Sequence, residues 1–198
     1  MRGYFGIGVE GISKAFNVGN LFRTAHAFGA SFVFSVDAHF KAREAAKADT
    51  SDAMRGHIPY YEWDRVVDMA LPKGCALVAV ELLDDAVSLP SFRHPNAAAY
   101  VLGRERGNVS DVMLDRADHV IRIPTRFCVN VGIAGAIVMY DRLVSQGRNA
   151  PRPLMPGGPH DHGPALHGSQ VQSHLINERI RRDNASAEPG VIDPAPAE

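Results

Sequence analysis

Short apolar runs alternate with helical patterns over about the first 145 residues of the chain. Five runs rich in β-branched and apolar residues predict strands at residues 4–9, 31–36, 76–82, 98–102 and 119–123. Because nearly continuous apolar runs are typical of strands buried on both faces, we expect an α/β fold built on a parallel sheet with helices on both faces.

Two segments carry the clearest helical pattern. In residues 17–28 one apolar stripe is formed by Val18, Leu21, Phe22, Ala25 and Phe28. Arg23 points away from this stripe, and Gly29 is expected to end the helix as a left-handed cap. Residues 131–144 are apolar on nearly every side and rich in glycine and alanine, which let another backbone approach closely. We expect this second helix to be buried, or to lie in a dimer interface.

The composition changes near residue 146. The segment 146–198 holds eight of the 13 prolines and four of the nine histidines, with few apolar residues. Such a segment buries too little surface to offset its ordering entropy. We therefore predict a folded domain over residues 1–146 and a mostly flexible tail over residues 147–198, with one helical pattern at 169–183. We interpret the histidines of the tail as solvated residues rather than metal ligands, and expect no metal site.

Net charge and cysteine content limit the classes of protein that this chain can belong to. The chain has 21 Lys and Arg against 22 Asp and Glu, so any binding of nucleic acid requires a local basic patch. The two cysteines, Cys75 and Cys128, exclude a disulfide framework and fit a reducing compartment. No apolar run approaches the roughly 20 residues of a membrane span, and the first residues lack the layout of a signal peptide. We expect a cytoplasmic protein.

A glycine motif near the start suggests one function. Gly6, Gly8 and Gly11 spell G-x-G-x-x-G, and Asp37 lies near the position of a ribose-binding acid. Only five residues precede Gly6, and Gly19 would lie inside the phosphate-binding helix at a cost of about 1 kcal/mol. We therefore interpret these glycines as residues of a flexible loop and keep an NAD-binding Rossmann-like protein as an alternative.

Three other segments place polar and basic residues beside strand ends, where open α/β sheets bind ligands. They span residues 17–29, 101–108 and 123–131. Together they contribute Asn17, Arg23, Arg104, Arg106, Arg126 and Asn130. Each has a purely structural explanation, since Asn17 and Asn130 could be helix N-caps and the glycines turn residues. Arg23 on the helix that bears Asn17 at its N-terminal end could hold a phosphate. Together the segments put four arginines and two asparagines at or next to loops that follow strands, in a nearly neutral protein.

In this order and spacing, the three segments resemble the motifs of the SpoU or TrmH branch of the SPOUT RNA methyltransferases. Residues 17–29 match N-x-G-x-x-x-R-x-A-x-x-F-G in full. The second segment resembles F-G-x-E-x-x-G with Leu102 in place of the aromatic residue, and the third resembles I-P…S-x-N with Cys128 in place of serine. The resemblance implies a C-terminal trefoil knot, S-adenosylmethionine as the cofactor, and a homodimer formed through the knot region.

The resemblance also implies residue roles. Arg23 would be the main catalytic residue, Asn17 and Glu105 would organise it, and Asn130 would contribute from the third motif. The implied cofactor-binding residues are Val80, Leu102, Gly103, Gly107, Ile123, Cys128 and Asn130. The implied RNA-binding residues are Arg23, Arg104, Arg106 and Arg126.

The implied reaction moves a methyl group from the cofactor to a ribose 2′-hydroxyl of RNA, with transfer RNA favoured over ribosomal RNA. Because a guanidinium stays protonated in proteins, we expect Arg23 to grip a phosphate and stabilise the developing alkoxide. A phosphate oxygen or Glu105 would take the proton. The stretch 124–128 is shorter than in familiar members and carries Cys128. These departures leave open an RNA-binding protein that keeps the knot but has weakened catalysis.

Overall fold

A computed structural model describes residues 3–39, 47, 57–104 and 107–147 of the chain. Two predicted site residues, Glu105 and Arg106, lie outside the described residues. The predicted tail from residue 148 onward and its helical pattern at 169–183 lie outside them as well, so the domain boundary stays a prediction.

The described residues form seven strands and three helices. The strands are β1 (Tyr4–Glu10), β2 (Phe32–Val36), β3 (Tyr60–Trp63), β4 (Ala76–Val80), β5 (Val87–Ser88), β6 (Ala97–Leu102) and β7 (His119–Arg122). The helices are α1 (Ala15–Ala27), α2 (Asp111–Arg116) and α3 (Val131–Gln146), with short 3-10 turns at Val66–Asp68 and Leu89–Ser91. All five predicted strands and both predicted helices are confirmed, with ends that differ by at most two residues.

The strands form one sheet in the order β3-β2-β1-β6-β4-β7-β5, and every neighbouring pair is parallel. On one face, α1 and α3 cover a core that includes Ile7, Phe22 and Tyr100. On the other face, α2 and the turn Val66–Asp68 cover a core that includes Phe34 and Met113. The predicted parallel sheet with helices on both faces is therefore confirmed. In the described part of the chain, no helix is long and apolar enough to cross a membrane.

Gly6 and Gly8 lie inside β1, so their interpretation as flexible-loop residues is wrong. A Cβ atom on Gly8 would lie 2.4 Å from the carbonyl oxygen of Phe34 on the neighbouring strand, which explains why this position holds glycine. A dinucleotide-binding motif needs its glycines after the strand, at the start of a helix. Here α1 begins only at Ala15, so the local structure does not form that motif.

Glycine also allows α1 and α3 to pack closely. A Cβ atom on Gly135 would lie 2.2 Å from Cδ1 of Leu21. The close approach predicted for the small residues of α3 is thus confirmed. The opposite face of α3 is not covered by the described part of the chain, because Ile133, Tyr140 and Leu143 are 56%, 53% and 40% exposed.

The connection from β4 to β5 crosses β7. Val80 of β4 and Val87 of β5 both lie in register with Ile121 of β7, one on each side. Residues 81–86 must therefore pass over the carboxyl end of β7, where the backbone N–H of Glu81 donates to the carbonyl oxygen of Ile121. Crossed connections at one edge of a sheet are rare. The connection between β4 and β5 therefore lies at the same edge of the sheet as the loops that follow β6 and β7.

Candidate functional site

A pocket of about 350 Å³ lies where β4, β6 and β7 reach their carboxyl ends. It is lined by every residue predicted to bind a cofactor, namely Val80, Leu102, Gly103, Gly107, Ile123, Cys128 and Asn130. Asn17 and Arg104 also line it. The structure thus brings together residues from all three sequence segments, which are separated by up to 113 positions between Asn17 and Asn130.

The strand ends give the pocket apolar walls. Val80 ends β4 and Leu102 ends β6, and both side chains are buried. Ile123 follows β7 and packs against the same core. Apolar walls with a few polar groups at the edge are the usual lining of sites for small organic ligands. This arrangement suits a flat heterocycle held by contact and oriented by its polar atoms.

The loop after β6 needs two glycines. A Cβ atom on Gly103 would lie 2.8 Å from the backbone nitrogen of Val109, so a larger residue would push the loop apart. Gly107 has a φ of 135°, which residues with a side chain rarely adopt. The predicted close backbone approach is confirmed at Gly103, whereas Gly107 is needed for its backbone conformation, and both glycines line the pocket.

Asn130 is the N-cap of α3, as the sequence suggested, and it also lines the pocket. Its Oδ1 accepts a hydrogen bond from the backbone N–H of Gly132 at 2.9 Å and caps α3. The cap leaves the Nδ2 group of the amide to donate elsewhere. In the preceding loop, Oγ1 of Thr125 donates to the carbonyl oxygen of Phe127 at 2.9 Å, which fixes the turn before Cys128. Asn17, by contrast, is not an N-cap, because α1 begins at Ala15.

Two predicted arginines lie outside the pocket. Arg23 is exposed on α1 and is not among the described residues that line the pocket. It follows Asn17 by six positions, which places the two side chains roughly 120° apart around a helix. Arg126 is exposed beside the lining residue Thr125, and Arg104 is exposed at the pocket itself. Within one chain, the structure does not bring Arg23 to the pocket.

Sequence reasoning missed several lining residues. These are Lys14, Glu81, Leu82, Asn108, Thr125, Val129, Val131 and Ala134. Most of them lie within or next to one of the three motifs, so their closeness to motif residues in the sequence could have identified them. Glu81 is different, because it follows β4 in a segment where no motif was recognised. Lys14, Arg104 and Glu81 give the pocket charges of both signs.

The chain belongs to the family described as the SpoU rRNA methylase family, whose model matches residues 5–140. An rRNA methyltransferase from Sinorhizobium meliloti with bound AdoMet is 20% identical, with a TM-score of 0.64 over 73% of this chain and 57% of that chain. The SpoU methyltransferase AviRb from Streptomyces viridochromogenes in complex with AdoMet is 16% identical, with a TM-score of 0.64 over 74% of this chain and 62% of that chain.

A third similar structure concerns the 2-OH methylation of C/U34 on tRNA. It is 19% identical, with a TM-score of 0.62 over 73% of this chain and 91% of that chain. At these identities the solved structures establish a shared fold. The chain spans 57% of the length of the Sinorhizobium protein and nearly all of the third one. No curated protein matches the chain significantly.

Proposed function

We propose that the protein is an S-adenosylmethionine-dependent RNA methyltransferase that modifies a ribose 2′-hydroxyl, with transfer RNA as its substrate. The observation that carries this proposal is the pocket in which described residues of all three motifs meet. Membership of the SpoU family supports RNA methylation as the reaction class. The choice of ribose over base and of transfer RNA over ribosomal RNA is our inference.

The pocket fits the proposed cofactor. Its volume of about 350 Å³ falls within the range of small-molecule sites, roughly 300–1,000 Å³. Val80, Leu102 and Ile123 would hold the adenine between apolar walls, while Gly103 and Gly107 leave room for close contact with the backbone. When bound, the cofactor supplies an activated methyl group, so the protein has to align the acceptor and help remove its proton.

The motif residues would divide those tasks. We assign Arg23 to the RNA phosphate beside the reacting ribose, where a guanidinium binds in a bidentate manner and stabilises negative charge on the 2′-oxygen. Asn17 and Glu105 would orient it, and Nδ2 of Asn130 would donate to a ligand in the pocket. A phosphate oxygen or Glu105 would accept the proton.

A homodimer would complete this arrangement. The exposed apolar side chains Ile133, Tyr140 and Leu143 follow one another at helical spacing on α3 and form a surface suited to a symmetric interface. Arg23 lies outside the pocket of its own chain. We propose that the dimer brings Arg23 of one protomer to the pocket of its partner, so that each site takes residues from both chains.

We also propose that the chain forms the trefoil knot implied by the family resemblance. The crossing of residues 81–86 over β7 supports this proposal. The chain that leaves β7 at Ile123 has to pass this crossing before it reaches α3, which packs beside α1. A knotted path would explain how the loops before β5, after β6 and after β7 come to share one pocket.

RNA contacts would come from the arginines around the pocket. Arg104 and Arg126 are exposed there, and Arg23 and Arg106 complete the proposed set. The preference for transfer RNA is supported by the likeness to the structure that concerns 2-OH methylation of C/U34 on tRNA, 91% of which is matched by this chain.

The test is methyl transfer to RNA from labelled S-adenosylmethionine, with tRNA and rRNA offered separately. A ribose 2′-O-methyl group blocks alkaline cleavage of the adjacent phosphodiester bond, because the cleavage needs a free 2′-hydroxyl. We expect label in tRNA, in alkali-resistant dinucleotides. Label in base-methylated nucleosides would contradict the ribose assignment, and label in rRNA alone would contradict the tRNA assignment. Cofactor and RNA binding without transfer would support the alternative of a catalytically weakened RNA-binding protein.

A further inference from the structure

We propose that Glu10 and Glu81 are positioning residues whose carboxylates fasten the loop after β6 and thereby set the affinity of the pocket for its cofactor. This inference rests on the proposed function. Neither residue belongs to the three motifs, and each comes from the carboxyl end of a different strand. They hold two consecutive residues of the same loop, Val109 and Ser110.

Glu10 is the buried member of the pair. It is the last residue of β1, it is only 4% exposed, and its carboxylate oxygens accept hydrogen bonds from both donor groups of Ser110. The backbone N–H of Ser110 donates to Oε2 at 2.8 Å, and the hydroxyl donates to Oε1. Burial of a carboxylate is costly unless its oxygens are hydrogen-bonded. The two hydrogen bonds from Ser110 therefore satisfy Glu10, and displacement of Ser110 would leave the carboxylate unpaired.

Glu81 holds the preceding residue from the other side. Its Oε2 accepts from the backbone N–H of Val109 at 2.8 Å, and its Oε1 accepts from the backbone N–H of Leu82 at 2.8 Å. Glu81 also lines the pocket. A single carboxylate thus ties the start of the β4–β5 connection to the loop after β6, and both of these segments form walls of the site.

The fastened loop carries the pocket wall. Gly103, Gly107 and Asn108 line the pocket immediately before the residues that the two carboxylates hold. Gly103 also packs closely against Val109, because a side chain at Gly103 would collide with the backbone nitrogen of Val109. Hydrogen bonds to ionised acceptors are about twice as strong as neutral ones. Loosening them should therefore open the wall while the sheet stays folded.

The experiment compares Glu81→Gln with the wild type. A glutamine replaces one acceptor oxygen with an NH2 donor, and the bond that its remaining oxygen can keep goes to a neutral acceptor and is weaker, so the hold on Val109 is reduced in either orientation of the amide. The matched control is Asp68→Asn, which removes a carboxylate that accepts two hydrogen bonds from Arg65 on the exposed surface, outside the described pocket. Amide hydrogen exchange at Val109 and the affinity for S-adenosylhomocysteine, measured by calorimetry, are the two readouts.

We expect Glu81→Gln to accelerate exchange at Val109 and to weaken S-adenosylhomocysteine binding about tenfold or more, with saturating ligand restoring protection. Asp68→Asn should leave both unchanged. Glu10→Gln gives a second test through exchange at Ser110, should Glu81→Gln fail to fold. Wild-type affinity in both folded variants would overturn the inference while the proposed function stands. Absence of binding by the wild type would instead overturn the proposed function, and this inference with it.

Discussion

The Nε2 atom of His94 lies 3.0 Å from Oδ2 of Asp141, and this contact joins the loop before β6 to the last turns of α3. The other ring nitrogen, Nδ1, lies 2.6 Å from the hydroxyl oxygen of Tyr100, which also accepts from Nη1 of Arg142 at 3.1 Å. A carboxylate only accepts, so Nε2–H donates to Asp141 and Nδ1 accepts from Tyr100. All four groups are satisfied by a neutral imidazole.

This network predicts a loss of stability in mild acid. Burial lowers the pKa of His94 below its usual range, with the nearby Arg142 charge acting in the same direction and Asp141 opposing both. The unfolded chain then binds the proton more readily than the native protein. The free energy of unfolding should fall as the pH drops below about 6.5, the ordinary histidine value, and continue to fall through the lower native pKa.

Thermal unfolding between pH 7.5 and about 5 checks this prediction. The variant His94→Gln, which cannot titrate, should show a shallower decline of Tm with falling pH. His119→Gln, at an exposed histidine, is the control for replacing a histidine with glutamine. A decline that is equally steep in the wild type and in His94→Gln would show that other groups control the acid sensitivity.

Gly8→Ala should destabilise the fold. The added methyl group would lie 2.4 Å from the carbonyl oxygen of Phe34, which is part of the sheet backbone and cannot rotate away. Overpacking of this kind costs about 1–3 kcal/mol. Chemical denaturation would measure the change. Gly29→Ala is the matched control, because that site has open space and only a positive φ of 74° to penalise alanine, at a cost of about 1 kcal/mol. Equal losses at both positions would contradict the packing argument.

The sequence predicted the strands that carry a nearly continuous apolar run and the two helices that carry a long apolar stripe. Strand β1 and helices α1 and α3 bury continuous apolar stripes, which determine their type and locate their ends to within two residues. The short elements β5 and α2 span two and six residues, too few for a period to be read. The error at Gly6 and Gly8 arose because glycine is typical of loops. Here the ring of Phe32 or Phe34 on the neighbouring strand occupies the space of the missing side chain.

The sequence predicted those residues of the candidate site that belong to one of the three motifs. The lining residues Leu102, Gly103 and Asn130 were found because each belongs to a recognised pattern. Glu10 and Glu81 were not, because their role depends on contacts across 100 and 28 positions of sequence. The exposure of Arg23 was expected from its place on α1. Its separation from the pocket follows only from the packed structure.

Cys128→Ser should strengthen cofactor binding. Cys128 lines the pocket at the position where the related motif has serine, and a hydroxyl is a better hydrogen-bonding group than a thiol. One improved neutral hydrogen bond corresponds to an increase in affinity of roughly two- to tenfold. Calorimetric titration with S-adenosylhomocysteine measures it. Cys75→Ser, at the half-buried cysteine that does not line the pocket, is the control. A weaker Cys128→Ser variant would mean that the thiol contributes packing.

Arg126→Gln should lower the salt dependence of RNA binding. Each phosphate contact contributes about 0.7–0.9 to the slope of log K against log salt concentration, so losing one should reduce the slope by that amount. Arg126 is exposed beside the pocket but does not line it, so the affinity for S-adenosylhomocysteine should stay unchanged. Arg65→Gln, whose guanidinium pairs with Asp68, is the control. An unchanged slope in Arg126→Gln would remove this residue from the RNA interface.

Arg23→Lys should lower the rate of methyl transfer by about a hundredfold or more, since an ammonium keeps the charge but loses the bidentate grip on a phosphate. Arg23 is exposed on α1, away from the pocket, so cofactor affinity and Tm should hardly change. Single-turnover methyl transfer with tRNA measures the rate. Near-normal turnover would show that a bidentate contact is unnecessary.

A mixed dimer tests whether Arg23 acts across the interface. One protomer carries Arg23→Lys, and the other carries Gly103→Val, which obstructs the pocket because even a Cβ atom there would lie 2.8 Å from the nitrogen of Val109. If Arg23 serves the partner's pocket, the intact pocket of the first protomer receives the intact arginine of the second, and activity returns to about half. If Arg23 serves its own pocket, each protomer lacks one component and the mixed dimer stays inactive. Two affinity tags on co-expressed chains isolate the mixed species, and both single-variant homodimers should be inactive in either case.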